Sequence, residues 1–137
     1  MKGRIAALLI VVILASAGIG YLIRTETAQQ SCDIAPQGSV VYVRILHDGV
    51  RTPVTNATVE AVAVETCNGI NTTIDILMLP TVNATGVATL DGSYATFLSV
   101  TVHYGSQSYP FDAHVQHPLA TCANLSIPSG SLSVASC

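Results

Sequence analysis

The sequence predicts an all-β antiparallel sandwich preceded by one N-terminal apolar α-helix of transmembrane length. Three observations lead to this fold class. One uncharged apolar run lies near the N-terminus, short stretches of alternating polar and apolar residues fill the remainder, and turn residues recur about every ten positions. After Thr25 no stretch shows the 3.6-residue period of an amphipathic helix.

The N-terminal element is the run from Ile5 to Ile23, which contains no charged residue. A helix of this length spans about 28 Å, close to the hydrocarbon thickness of a bilayer. Lys2 and Arg4 precede the run and Arg24 follows it. We therefore expect residues 1–24 to be a signal anchor or transmembrane helix, or a signal peptide.

Three interpretations of this helix remain open. An uncleaved signal anchor is favoured because Lys2 and Arg4 outnumber Arg24, which places the rest of the chain outside the cell. A cleaved signal peptide would end at Ala15-Ser16-Ala17, which has the small-x-small pattern of a cleavage site. A prepilin-type leader would be cut near Lys2-Gly3, and its helix would then pack in a filament core.

The remaining chain divides into a polar segment and a β-domain. Residues 25–38 contain Pro36 and no apolar period, which is typical of a linker. Residues 39–137 are expected to form an extracellular sandwich, with a turn at His47-Asp48-Gly49. Its strands are predicted by alternating positions at Val41/Val43/Ile45, Val59/Ala61/Ala63, Ile74/Ile76/Met78, Tyr94 to Tyr104, Tyr109/Phe111/Ala113/Val115, Leu125–Ile127 and Leu132–Val134.

All four cysteines follow the apolar run, at Cys32, Cys67, Cys122 and Cys137. An even number of cysteines in an extracytoplasmic domain predicts two disulfides. No two of them have the Cys-x-x-Cys spacing typical of zinc sites. Three pairings are possible, among them Cys32 with Cys137 and Cys67 with Cys122, and the sequence does not choose between them.

Four Asn-x-Ser/Thr sequons begin at Asn56, Asn71, Asn83 and Asn124. Such sequons are acceptors for N-glycosylation in secreted proteins, so they predict surface positions outside the cell. The alternative is that these asparagines are solvent-facing turn residues that carry no sugar.

Short motifs occur at Pro53 to Val59, Asn83 to Leu90, Gly92-Ser93-Tyr94 and Leu98 to Val102. Together they resemble the carboxypeptidase regulatory-like, or transthyretin-like, β-sandwich family over residues 39–115. The resemblance implies an immunoglobulin-like or transthyretin-like sandwich and a non-catalytic accessory or adhesive module. The insert between Thr66 and Leu79 and the added cysteines depart from the family's pattern. The overall layout, an apolar helix before a Thr-rich domain with sequons, resembles archaeal type IV pilins.

The sequence contains no Gly-x-Ser-x-Gly elbow and no glycine-rich phosphate loop. We therefore expect no enzymatic activity and no cofactor. The candidates for a metal site are Asp112, His114 and His117, with His103 as a further ligand, because Asp and His bind zinc or copper. The alternative is that Asp112 and His114 form the solvent face of a strand. Three aromatic residues are candidates for a ligand platform, namely Tyr42, Tyr94 and Phe97.

The charge balance excludes nucleic acid as a partner, because the chain has five Lys and Arg residues and a formal charge of −3. We predict a non-enzymatic cell-surface structural protein. It is either membrane-anchored through its N-terminal helix or a pilin-like subunit that self-assembles into a filament or homo-oligomer. The alternative is a secreted binding or adhesion module that recognises a surface polymer or partner protein, and a small metalloprotein is the third hypothesis.

Overall fold

The structure is a computed structural model that describes residues 32–74, 77–116 and 120–137. The helix predicted over residues 1–24 lies outside the described residues. The described residues form nine strands: β1 (Cys32–Asp33), β2 (Val40–His47), β3 (Thr58–Cys67), β4 (Ile70–Thr73), β5 (Val87–Asp91), β6 (Phe97–Tyr104), β7 (Gln107–His114), β8 (Thr121–Ile127) and β9 (Ser131–Ser136).

These strands form two sheets, which confirms the predicted all-β class for the described part of the chain. Sheet A has the order β1-β3-β6-β7, and β4 also pairs with β3. Sheet B has the order β5-β2-β8-β9. The prediction of a purely antiparallel sandwich is wrong at one place: β2 pairs with β8 in parallel, whereas the other pairings are antiparallel. A parallel pair needs a long crossover, and here the crossover contains β5 and the four strands of sheet A that follow β2, namely β3, β4, β6 and β7.

The core consists of the inward-facing residues of both sheets. In β2 the buried residues Val41, Val43 and Ile45 alternate with more exposed ones, as their spacing predicts. Sheet A contributes Val59, Ala61 and Ala63 from β3, and Leu98, Val100 and Val102 from β6. Side chains at every second position of a strand share one face, so the period of two in the sequence determines which residues enter the core.

Thr121 is a buried polar residue at the start of β8, and it links the two sheets. Its hydroxyl donates to the carbonyl of His114 at 3.2 Å and accepts the N–H of Gln116 at 2.9 Å. These bonds satisfy backbone groups at the end of β7. They hold the chain where it leaves sheet A and enters sheet B.

The strand predicted at Ile74/Ile76/Met78 lies partly outside the described residues. Strand β4 covers Ile70–Thr73, Met78 makes an isolated bridge to Ala61, and Ile76 lies outside the described residues. Strand β4 is not among the predicted strands, and it follows β3 through a tight hairpin turn at Asn68-Gly69, with φ angles of 52° and 79°. Asn-Gly is the pair that such two-residue turns favour, so this hairpin had a readable signal.

The long strand predicted from Tyr94 to Tyr104 is shorter in the structure, because β6 begins at Phe97. Tyr94 has a φ of 61°, outside the extended region, and is 50 % exposed. Its N–H donates to the carbonyl of Ala35 at 2.8 Å, and the N–H of Ala35 donates to Ala95 at 2.9 Å. Residues 94–95 therefore pair with the buried Ala35, which lies in the segment 25–38 predicted as a linker. That segment also contains β1.

Candidate functional site

Two disulfides join all four cysteines, as their number and position in the sequence predict. Cys32 bonds to Cys67 and Cys122 bonds to Cys137. Cys32 and Cys67 are direct partners in the ladder between β1 and β3, and Cys137 follows the edge strand β9. Both bonds therefore attach a terminal or edge strand to its neighbour.

The predicted metal ligands do not come together within the described residues. Asp112 and His114 lie exposed on the outer face of β7, opposite Ser99 and Phe97 of β6. The rings of His114 and Phe97 are 5.5 Å apart. His117 lies outside the described residues. Among residues 32–74, 77–116 and 120–137, three side chains that could in principle bind a metal lie close together, namely Cys32, Glu65 and Cys67. The sulfur atoms of Cys32 and Cys67 are bonded to each other in a disulfide.

His103 has different neighbours from those its sequence position predicts. Its Nδ1 lies 2.8 Å from the Ser108 hydroxyl, and its Nε2 lies 3.5 Å from a carboxylate oxygen of Glu60. The three side chains come from β6, β7 and β3, and the ladder pairs His103 directly with Ser108. Their juxtaposition follows from the sheet order, which local sequence does not show. The cluster lies on the open outer face of sheet A.

The four sequon asparagines lie at different places on the sandwich. Asn56, Asn71 and Asn83 are exposed, whereas Asn124 is half-buried on the central strand β8. The Oδ1 atom of Asn83 accepts hydrogen bonds from the Thr85 N–H, the Thr85 hydroxyl and the Val87 N–H, at 2.7–3.0 Å. Asn83 thus has a structural role in the turn before β5, through the amide oxygen and not through the nitrogen that would carry a sugar.

The three aromatic residues considered as a ligand platform are separated in the structure. Tyr42 lies on the outer face of sheet B, Phe97 lies on the outer face of sheet A, and Tyr94 lies in the turn before β6. They therefore do not form one platform.

The outer face of sheet B carries two adjoining depressions of about 220 and 330 Å³, which share Arg44 and Asn124. The smaller one extends past Tyr42 and Val87 to the Cys122–Cys137 disulfide. The larger one is lined mainly by Arg44, Arg51, Asn124, Ser126, Ser131 and Ser133. We call the two together the arginine groove.

The groove combines residues from four elements of the fold. Arg44 lies on β2, opposite Val87 of β5 on one side and Asn124 of β8 on the other. Ser133 lies opposite Asn124, and Ser131 lies opposite Ser126. Because these positions alternate with inward-facing apolar ones, they all face outward from the sheet. Of the residues that line the groove, sequence reasoning singled out Asn124 as a sequon, Tyr42 as an aromatic candidate, and Cys122 and Cys137 as disulfide partners.

Comparison with known proteins leaves the family open. No protein-family model matches the chain, and no curated protein matches it. The resemblance to the carboxypeptidase regulatory-like sandwich therefore stays a prediction. One solved structure, a Bacteroides ovatus protein provisionally assigned to cell adhesion, is similar with a TM-score of 0.47 and 10 % identity. The similarity covers 74 % of this chain and 44 % of that one, so this chain spans less than half of that structure.

Membrane-spanning helices are absent from the part of the chain that the structure describes. No helix in residues 32–74, 77–116 and 120–137 has the length and hydropathy needed to cross a membrane.

Proposed function

We propose that this chain is a non-enzymatic structural protein of the cell surface. In this proposal residues 1–24 hold the sandwich outside the cell, either as a membrane anchor or as the core helix of a pilin-like filament. The observation that carries the proposal is the Cys32–Cys67 disulfide. It supports the extracellular location. It also supports a structural role in which mechanical force reaches the sandwich through its N-terminal segment.

Disulfides persist in oxidising compartments and are rare in the cytosol. Both disulfides close within the described sandwich, and Cys32 and Cys67 lie on directly paired positions of two strands. Three of the four sequon asparagines are exposed, as acceptors for surface glycans need to be. These features fit an extracellular β-protein.

A protein held by its N-terminal segment receives any pulling force at Cys32, the first residue of the sandwich. Strand β1 is two residues long, so its hydrogen bonds to β3 alone would resist little force. The disulfide passes the force directly to Cys67 at the end of β3. Strand β3 is ten residues long and is paired with β6 along most of its length. The bond therefore connects the N-terminal segment to a strand inside the sheet.

The test is surface proteolysis of intact cells that express the full chain, followed by intact-mass analysis of the membrane, filament and soluble fractions. We expect the protease to remove the sandwich from intact cells, and thiol alkylation without reductant to leave all four cysteines unmodified. A cytosolic reporter protein is the control for cell integrity. Recovery in sheared filaments with a shortened N-terminus would assign the pilin-like form, and recovery in detergent extracts with Met1 present would assign the anchored form. A protein that is protected from protease and carries free thiols would contradict the proposal.

A further inference from the structure

We propose that the arginine groove binds an acidic polysaccharide through the carboxylates of its uronic acid units. This inference rests on the proposed cell-surface location and adds a ligand class to it. It is drawn from the placement of positive charge, from the unpaired polar groups beside it, and from the open shape of the groove.

Positive charge in the sandwich is confined to the groove. Arg44 and Arg51 are the two Lys or Arg residues that follow Arg24 in the sequence, and both line the larger depression. Within residues 32–74, 77–116 and 120–137, neither guanidinium lies within ion-pairing distance of a carboxylate. The nearest acid along the chain, Asp48, uses both carboxylate oxygens on Ser129, at 2.7 and 2.8 Å. Asp48 keeps its negative charge but forms an ion pair with neither arginine, so both guanidinium groups can bind an anion.

A second acid, Asp91, lies on the outer face of sheet B, and its position adds little negative charge to the groove. Asp91 is at the far end of β5, four residues beyond Val87, the residue opposite Arg44. This separation is about 13 Å at the rise of a β-strand, which exceeds the Debye length at physiological salt. Asp91 lines a different depression, together with Thr89 and Ser93.

Backbone hydrogen bonds hold the main chain of both Arg44 and Arg51 in place. Arg44 is exposed in the middle of β2, which is paired on both sides. Arg51 has a φ of 52°, and its N–H donates to the carbonyl of His47 at 3.1 Å. A planar guanidinium donates two parallel hydrogen bonds to a carboxylate. Two such groups on one open surface suit a ligand that carries several carboxylates.

Side chains that suit sugar hydroxyls lie beside the arginines. Asn124 and Ser126 on β8 face the groove next to Ser131 and Ser133 on β9. The hydroxyls of Ser126, Ser131 and Ser133 make no hydrogen bond to another described residue. The two depressions adjoin at Arg44 and Asn124, which line both, so an extended chain that crosses these residues would contact both. An open groove with one polar half suits a polymer better than a small enclosed ligand.

The proposal requires Asn124 to be free of sugar, because a glycan on this half-buried asparagine would stand inside the groove. The experiment therefore begins with the intact mass of the full chain purified in neutral detergent. The probe is hexagalacturonate, and maltohexaose is the neutral probe of the same length. Binding is measured by calorimetric titration for the wild type and for the variants R44Q, R51G and D112N.

We expect hexagalacturonate to bind saturably and maltohexaose not to bind. R44Q and R51G should each weaken binding by about tenfold or more, since each removes hydrogen bonds between charged groups. Glycine accepts a positive φ readily, so R51G should fold at least as well as the wild type and separates lost binding from lost folding. D112N also changes the net charge by one unit, although it raises the charge where the arginine variants lower it. Asp112 lies on sheet A, away from the groove, so D112N should leave the affinity for hexagalacturonate unchanged.

Several results would overturn the proposal. One is that the wild type and both arginine variants bind hexagalacturonate equally well, and another is that maltohexaose binds as well as hexagalacturonate. The others are a gain of affinity in D112N that matches the loss in R44Q, and a glycan on Asn124. Self-association that R44Q abolishes would assign the groove to a second copy of the chain instead. A chain that lies on the cell surface and does not bind hexagalacturonate contradicts this inference alone, and the proposed function stands.

Discussion

The backbone of Gly86 lies directly against that of Ile45. The Ile45 N–H donates to the Gly86 carbonyl at 2.8 Å, and a Cβ atom at residue 86 would lie 2.7 Å from the Ile45 carbonyl oxygen. Gly86 also has a φ of 73°. Close approach and a left-handed backbone both require glycine at this position.

We therefore expect Gly86→Ala to lower the free energy of unfolding by at least about 2 kcal/mol, through backbone strain and steric overlap combined. Gly105→Ala is the matched control, because Gly105 has a φ of 60° and a Cβ atom there would meet no other atom within 4 Å. It should cost only about 1 kcal/mol, the penalty of the backbone conformation. Urea unfolding of both variants measures the difference, and equal losses would contradict the close approach.

Asn83 is expected to stabilise the turn before β5 whether or not it carries a sugar. Asn83→Ala removes an acceptor of three hydrogen bonds and should cost about 1–2 kcal/mol. Asn83→Asp keeps the accepting oxygen and destroys the sequon, so it should retain most of the stability. Thermal unfolding of protein made in a host without N-glycosylation measures the turn alone. A loss in Asn83→Asp as large as in Asn83→Ala would show that the amide oxygen is not the stabilising atom.

The two disulfides should make comparable contributions to the free energy of unfolding. Their sequence separations are 35 residues for Cys32–Cys67 and 15 for Cys122–Cys137. Loops of these lengths correspond to about 4 and 3 kcal/mol of restricted unfolded-chain entropy. Guanidinium unfolding of the double variants Cys32→Ser/Cys67→Ser and Cys122→Ser/Cys137→Ser measures each term. Wild-type protein in reductant should lose both contributions, and a variant as stable as the oxidised wild type would contradict its bond's role.

The pKa of Asp91 is expected to be below its ordinary value, because the Ser93 side chain and then the Ser93 N–H hydrogen-bond to the carboxylate. Since the folded state favours the charged form, this contribution to stability is present above the unfolded pKa of about 4 and is lost as the pH falls through the lower folded value. NMR titration of the carboxyl should show a higher pKa in Ser93→Ala than in the wild type. An identical pKa in the two proteins would contradict the assignment.

Local sequence predicted which residues of the longer strands share a face. The alternation at Val41/Val43/Ile45 and at Leu98/Val100/Val102 is reproduced as alternating burial. The period of two depends on neighbouring residues alone, so a single strand contains the whole signal. Asn68-Gly69 also contained its hairpin signal locally, although the alternation at Ile74/Ile76/Met78 suggested a later strand.

Strand ends were less predictable, because they depend on distant partners. Tyr94 continues the alternation of β6, yet its N–H bonds to Ala35, which is far away in the sequence. The same holds for β1, whose two residues form a strand through their pairing with β3. A polar segment without apolar period gives no local indication of such a pairing.

The sequence by itself determined that the chain carries a membrane-length apolar run, a β-rich domain, and four cysteines outside that run. The tertiary structure decided which cysteines bond and which polar residues meet. Cys32 pairs with Cys67, His103 meets Ser108 and Glu60, and Arg44 shares a groove with Ser133 because strands distant in sequence become neighbours in a sheet. Outside tight hairpins such as the one at Asn68-Gly69, the order and register of strands depend on the packing of side chains from distant parts of the chain, which local sequence does not show.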